Sequence, residues 1–208
     1  MDFKKIINQL SGCEETENAN IKTVCKNFLK FFLEVVKVVI ISALIVVPIR
    51  YFLIQPFFVS GASMQPQFSS GEYLIIDEIG YRNNSPRRGD VVVFRYPKDP
   101  SQFYIKRIIG LPGETIRIKD NKALIFNEEN PWGMQLDESS YLRQGEITKG
   151  DIDVKLGDSE YFILGDNRQA SSDSRVFGSV DKKFIIGKVW LRAWPFGRAK
   201  VFSEQVTY

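Results

Sequence analysis

The chain has 208 residues, 44% of them hydrophobic and 25% charged, which is room for one domain with its own core plus an appendage, in a globular rather than a disordered composition. Its 28 Lys and Arg against 25 Asp and Glu give +3, and after Phe58 the balance is 21 against 20, so the larger part carries no nucleic-acid footprint. Histidine is absent, which excludes Ser-His-Asp and Cys-His systems, HExxH zinc sites and any imidazole acid or base; Cys13 and Cys25 alone cannot make a zinc site.

Residues 1–34 read as a tail followed by a juxtamembrane helix. The first 20 are polar and without period; then Lys22, Lys26 and Lys30 recur every fourth residue while Val24, Phe28, Phe31, Phe32 and Val35 fall mostly on the opposite side, which is helical spacing with a basic face. Residues 35–58 read as a transmembrane anchor: Val35 to Ile54 is interrupted only by Lys37 and Arg50, and its length is about what a bilayer core requires. Pro48 is placed to kink this helix and Pro56 to stop it. The lysines before Val38 put the N-terminus in the cytoplasm by the positive-inside rule. A cleavable signal peptide ending at Ser60-Gly61-Ala62 competes with this reading, against which stands the length of the charged region before the apolar run.

From Val59 to the end the pattern predicts a β-rich domain, 59–208. Residues 73–79, 91–96, 104–109, 115–119, 123–126, 161–164 and 185–191 are short runs rich in β-branched and aromatic residues, punctuated by turn signals such as Arg87-Arg-Gly-Asp90 and Leu111-Pro-Gly-Glu114. Asp120-Asn121-Lys122 marks a hairpin. Residues 129–158 are polar and glycine-containing, and read as an irregular insertion.

Three strings carry possible chemistry, and no GxxxxGK[ST] or GxGxxG string accompanies them. Ser60-Gly-Ala-Ser-Met-Gln-Pro66 places Ser63 among small residues just beyond the apolar run, with Gly61 allowing close backbone approach. In Tyr104-Ile-Lys-Arg-Ile-Ile109 two adjacent cations lie in a strand, so Lys106 shares one face with Tyr104 and Ile108, and Arg107 the other with Ile105 and Ile109. Both faces are apolar, and of the two cations only lysine loses its proton on desolvation. Gly165 to Arg175 is a dense polar loop in which Asp173 beside Ser174 and Arg175 is able to form a charge-assisted network.

These strings resemble the type I signal peptidases, membrane-bound serine proteases that remove signal peptides. The family pattern is matched by Gly61-Ala-Ser-Met-Gln-Pro66, Gly89-Asp-Val-Val-Val-Phe94, Tyr104-Ile-Lys-Arg-Ile-Ile-Gly-Leu-Pro-Gly113 and Gly165-Asp-Asn-Arg-x-x-Ser-x-Asp-Ser-Arg175, in the family's order. The resemblance implies an antiparallel β-sheet, barrel-like catalytic domain behind a single N-terminal transmembrane helix. It makes Ser63 the nucleophile, Lys106 the general base and Ser171 the hydroxyl that orients the lysine. Asp173 and Arg175 become a structural ion pair, Asp166 a supporting acid, and the Ser63 N–H the principal oxyanion donor, with Gly61 contributing only backbone. Ser60, Gly61, Ala62 and Tyr104 are expected to bind substrate. Gln67 departs from the usual Thr, and Glu114 from the common Asp.

The expected activity is removal of signal peptides from exported preproteins after small, Ala-x-Ala-like residues, at a bacterial plasma membrane or a thylakoid membrane. Preproteins and the lipid bilayer are the partners, and no cofactor, metal or nucleic acid is implied. The chemistry stands on its own feet in a chain without histidine: a neutral lysine can serve a serine as base if burial lowers its pKa by roughly 2 to 3 units from the model-peptide value of about 10.4. Two alternatives stay open, a self-cleaving regulator of LexA type and a membrane-anchored β domain that binds envelope peptides without catalysis.

Overall fold

The structure, a computed structural model, describes residues 26–47 and 55–202. The chain divides into two compact units, Met1–Arg50 and Tyr51–Tyr208. In the first, residues 26–47 form a helix, α1, exposed almost throughout. Among the described residues no helix is long and apolar enough to cross a membrane, because Lys30, Glu34 and Lys37 fall within every 18-residue stretch of α1. The anchor expected over 35–58 is described only in part. Helix is already present at residue 26, residues 48–54 lie outside the described residues, and the last four positions are strand rather than helix. The tail over 1–20, with Cys13, and also Cys25, lies outside the described residues.

The second unit is mainly antiparallel β. Its larger sheet has the order β1 (Gln55–Phe58), β2 (Tyr73–Asp77), β11 (Ile185–Trp194), β3 (Val91–Tyr96), β4 (Asp99–Gly110), β9 (Glu160–Leu164) and β10 (Val180–Asp181), with β12 (Lys200–Val201) paired to β11. A second sheet runs β7 (Met134–Gln135), β6 (Lys122–Phe126), β5 (Thr115–Lys119), β8 (Ile152–Lys155). Short helices α2 (Ile79–Asn83) and α3 (Ser174–Phe177) interrupt the strands. The barrel-like expectation is corrected: among the described residues both sheets are open, with β1 pairing only β2 and β10 only β9. Residues 129–158, read as irregular, supply β7 and β8 to the smaller sheet.

Strand β3 explains why both neighbours of the site are apolar. Val91 and Val93 enter one core with Met64, Phe68, Leu74 and Ile76, while Val92 and Phe94 enter another with Ile108, Tyr161 and Ile163. Side chains alternate across a strand, so a strand covered on both faces reads as an unbroken apolar run. β4 lies between β3 and β9 and shares this double cover: Lys106 stands opposite Val92, and Arg107 opposite Val91 and Leu164.

Candidate active site

Ser63 sits in the loop joining β1 to β2. The loop is closed by Val59 N–H donating to the Glu72 carbonyl and Gly71 N–H to that of Val59, both at 2.9 Å. Gly61 has φ +100°, a left-handed conformation open to glycine at little cost. Met64 and Phe68 are buried and anchor the loop in the core. Beneath it, Arg192 of β11 donates to the Gln67 carbonyl at 2.7 Å and pairs with buried Glu72 at 3.1 Å. Small residues above and large apolar ones below thus present Ser63 at the rim of the domain. Among the described residues its N–H donates to no protein acceptor, which leaves that donor available to a ligand.

Lys106 reaches this serine from the central strand pair: Nζ and Ser63 Oγ are hydrogen-bonded at 2.8 Å, and Nζ also donates to the Ile105 carbonyl at 2.9 Å. The Tyr104 ring lies on the same side, 5.4 Å from Nζ. Lys106 is 4% exposed. Burial pulls its pKa down to about 8, with Asp173 and Asp166 opposing the shift, as desolvation of an ammonium requires. Arg107, on the other face, donates to Asp166 through Nε and Nη2 and to the Gly89 carbonyl through Nη1, at 2.8, 2.7 and 2.7 Å, and also to the Gln67 side chain.

The loop after β9 closes the site from the third side. Asn167 donates from its backbone to the Ser63 carbonyl at 3.0 Å and from Nδ2 to the Ala62 carbonyl at 3.1 Å. Asp173 caps α3 and pairs bidentately with Arg175 at 2.8 Å, while its second oxygen accepts the Gly165 N–H at 3.1 Å. Gly165 is packed so tightly that an added Cβ would overlap the Ser171 hydroxyl and come within 2.5 Å of the Ser63 carbonyl oxygen. Ser171 is therefore beside the site, yet its buried Oγ has no hydrogen-bond partner among the described residues; the orienting bond expected from it to Lys106 is not formed here.

A groove of about 420 Å³ runs past the Ser63–Lys106 pair. Ser60, Gly61, Ala62 and Tyr104, expected to touch substrate, all line it. So do Phe57, Phe58, Val93, Phe103, Ala170 and Ser172, which the sequence reading did not single out. Phe57 and Phe58 were hidden at the end of the expected anchor over 35–58; Ser172 carried a signal in its adjacency to Ser171. Among the described residues no three Cys, Asp or Glu are grouped to hold a metal ion.

A serine hydroxyl hydrogen-bonded to a buried amine beside a groove is a site suited to a peptidase, and comparison with known proteins gives the class directly. Residues 32–194 match the family model described as signal peptidase, peptidase S26. The chain is similar to signal peptidase IB of Staphylococcus aureus, 33% identical over 82% of this chain and 94% of that one, and to probable signal peptidase I-2 of Synechocystis sp., 32% identical over 83% and 78%. A solved signal peptidase I from Enterococcus faecalis V583 aligns over 51% of this chain and 97% of its own, at 31% identity and TM-score 0.42. The chain belongs to the signal peptidase family, in its type I branch, and with that membership goes the removal of signal peptides by a serine peptidase.

Proposed function

We propose that Ser63 and Lys106 form the nucleophile and general base of this peptidase. The observation that carries the reading is the 2.8 Å contact between Lys106 Nζ and Ser63 Oγ at a lysine whose pKa is lowered to about 8. Neutral Lys106 takes the hydroxyl proton as Ser63 Oγ attacks the scissile carbonyl. The oxyanion that forms is received by the Ser63 N–H. The lysine then gives its proton to the departing amine, leaving an acyl-serine. Water, deprotonated by the again neutral Lys106 Nζ, attacks the ester, and the proton passes from Nζ to Ser63 Oγ as the new carboxyl end departs. Asp166, Asp173 and Arg175 hold the surrounding backbone, and the Ser171 hydroxyl, without a partner among the described residues, is the acceptor the lysine N–H takes up when substrate is bound. Ser60, Gly61, Ala62 and Tyr104 bind the substrate in extended form, with small residues at its −1 and −3 positions.

The substrates are signal-peptide-bearing preproteins, met at a bacterial plasma membrane or a thylakoid membrane. Residues 35–54 anchor the chain there with its N-terminus in the cytoplasm, a reading supported by the 20-residue apolar run and its lysine-rich flank. An impermeant thiol reagent labels Cys13 and Cys25 only after cells are permeabilised if this is so; labelling of intact cells inverts the topology. The catalytic reading is tested by incubating the purified full chain with a preprotein and sequencing the N-terminus of the product. Cleavage after a small residue, lost in Ser63→Ala, is the expected result, and retention of cleavage by Ser63→Ala overturns it.

A further inference from the structure

The segment between β7 and β8, residues 136–151, folds back onto the loops that carry the site. Glu138 accepts from Arg168 Nη1 at 2.9 Å and from its Nη2, and Arg168 Nη1 also donates to Thr148 Oγ1. Tyr141, one helical-type turn from Glu138 in sequence, donates its hydroxyl to Glu138 at 2.7 Å and lays its ring 4.0 Å from the Arg107 guanidinium. Arg107 and Arg168 are each 2% exposed, and Asp166 stands against the first of them. Two buried guanidinium groups are thereby neutralised in alternation, Arg107 with Asp166 and Arg168 with Glu138. Three of these four charges lie within the site's own motifs, and Glu138 comes from the other sheet's connection.

What Arg168 does with the rest of its guanidinium links this cluster to the chemistry. Its Nε donates to the Gly165 carbonyl at 3.0 Å, and its own carbonyl accepts from Arg175 at 2.7 Å. Gly165 is the residue pressed against the Ser63 carbonyl, and Asn167, two residues on, holds that carbonyl by hydrogen bond. Arg168 therefore fixes the curvature of 165–168, and that curvature sets where the Ser63 backbone lies. A buried arginine without its carboxylate partner is strongly unfavourable and moves toward water, and a displacement of about 1 Å at reacting groups is enough to cost roughly a hundredfold in rate.

We infer that Glu138 is a positioning residue for Ser63, acting through Arg168 and the Gly165 carbonyl, so that the connection between β7 and β8 is part of what keeps the nucleophile in line. The inference rests on the Ser63–Lys106 reading and adds to it a residue that touches neither substrate nor reacting atom. Removing Glu138 should lower kcat with KM little changed, since Glu138 itself does not line the groove. The pH midpoint of kcat/KM should stay where it is, because Lys106 keeps its burial and its two carboxylate neighbours.

The experiment compares Glu138→Ala, Glu138→Gln and Ser63→Ala in the full chain on a preprotein substrate, with the folded fraction of each measured by near-UV circular dichroism at the assay temperature. Arg117→Ala, which removes an exposed pair with Asp153 on the smaller sheet, serves as a control for loss of any ion pair in that half. Expected are a kcat at least tenfold down in Glu138→Ala, an intermediate loss in Glu138→Gln, which keeps one acceptor oxygen, KM within about twofold, an unmoved pH midpoint, and parental kinetics in Arg117→Ala. A folded Glu138→Ala with kcat within twofold of the parent overturns the inference. So does failure of both Glu138 variants to fold, since the segment then serves folding alone, and so does a loss no larger than in Arg117→Ala. Retained cleavage in Ser63→Ala would instead sink the underlying assignment of the nucleophile.

Discussion

Lys106 and Arg107 are consecutive, both buried, and leave opposite faces of β4, one toward the Ser63 hydroxyl and the other toward Asp166. The strand thus carries a titratable cation and a permanent one side by side, and the two substitutions that exchange them should fail for different reasons. Lys106→Arg puts at Ser63 a group that does not give up its proton. Its kcat should fall by roughly a thousandfold, in the range a general base contributes, with the protein still folded; a folded variant keeping most of its kcat rules out Lys106 as base. Arg107→Lys leaves the amine at Ser63 in place. The structure makes it a fold mutation, since one ammonium cannot replace a fork that holds Asp166, the Gly89 carbonyl and Gln67. A stability loss of about 2 kcal/mol is expected, measured by denaturant unfolding.

The pH dependence follows from the lowered pKa of Lys106. Only the neutral amine is a base, so kcat/KM should rise with pH to a midpoint near 8 and level off above it. For stability the direction is also fixed. The folded lysine releases its proton near 8 and the unfolded one near its ordinary 10.5, so the folded state is penalised fully below pH 8 and the penalty is relieved between 8 and 10.5. The penalty amounts to about 3 kcal/mol at ~1.4 kcal/mol per pH unit. Lys106→Met should therefore be inactive yet more stable than the parent at pH 7, with the advantage shrinking as pH rises to 10.5. A rate midpoint at 10 or above, or a less stable Met variant at pH 7, contradicts the burial argument.

Gly165→Ala tests the contact between the loop after β9 and the nucleophile. The added methyl overlaps the Ser171 hydroxyl and meets the Ser63 carbonyl oxygen at 2.5 Å, and the backbone on either side is tied down by Asp173 and Arg168. Ser63 has to yield. A fall in kcat of roughly a hundredfold is expected from displacement of the nucleophile; activity within threefold of the parent shows that the loop gives way instead.

Substrate selection should reflect the small residues at Ser60, Gly61 and Ala62 along the groove. Changing the substrate's −1 residue from Ala to Phe should lower kcat/KM by roughly a hundredfold or more through overfilling. Equal processing of the two substrates, followed by gel shift and product sequencing, would mean that the groove at Ser63 does not read that side chain.

Most strands of the second unit were legible because their local pattern is strong: Val91–Tyr96, Thr115–Lys119, Lys122–Phe126 and Glu160–Leu164 lie where the β-branched runs put them. β1 was not, since Gln55–Phe58 continues an apolar run whose periodicity does not separate strand from helix. Nor were β7 and β8, which are short and half exposed, and gain their identity from pairing with β6 and β5 rather than from their own composition. Within the site, Ser63, Lys106 and the 165–175 loop were visible as dense strings. Arg168 lay inside a string without being chosen, and its partner Glu138 had no local mark at all, because 30 residues separate the two and only the tertiary fold brings them together.

The pairing of β4 with β3 has a further meaning for how this protein tolerates change in length. Opposite faces of β4 are both apolar, so hydrophobic patterning gives little protection against slippage by one residue, which sends every side chain of a strand to the other side. Such a slip, from a single codon gained in the turn between Tyr96 and Asp99, would offer Ser63 an arginine and turn the lysine toward Asp166. The salt bridge of Arg107 with Asp166 stands against that outcome, because its fork suits the carboxylate and lysine's point charge does not. The permanent cation is in this sense the alignment pin of the strand, and the identity of the base one residue before it depends on that pin staying in its hole.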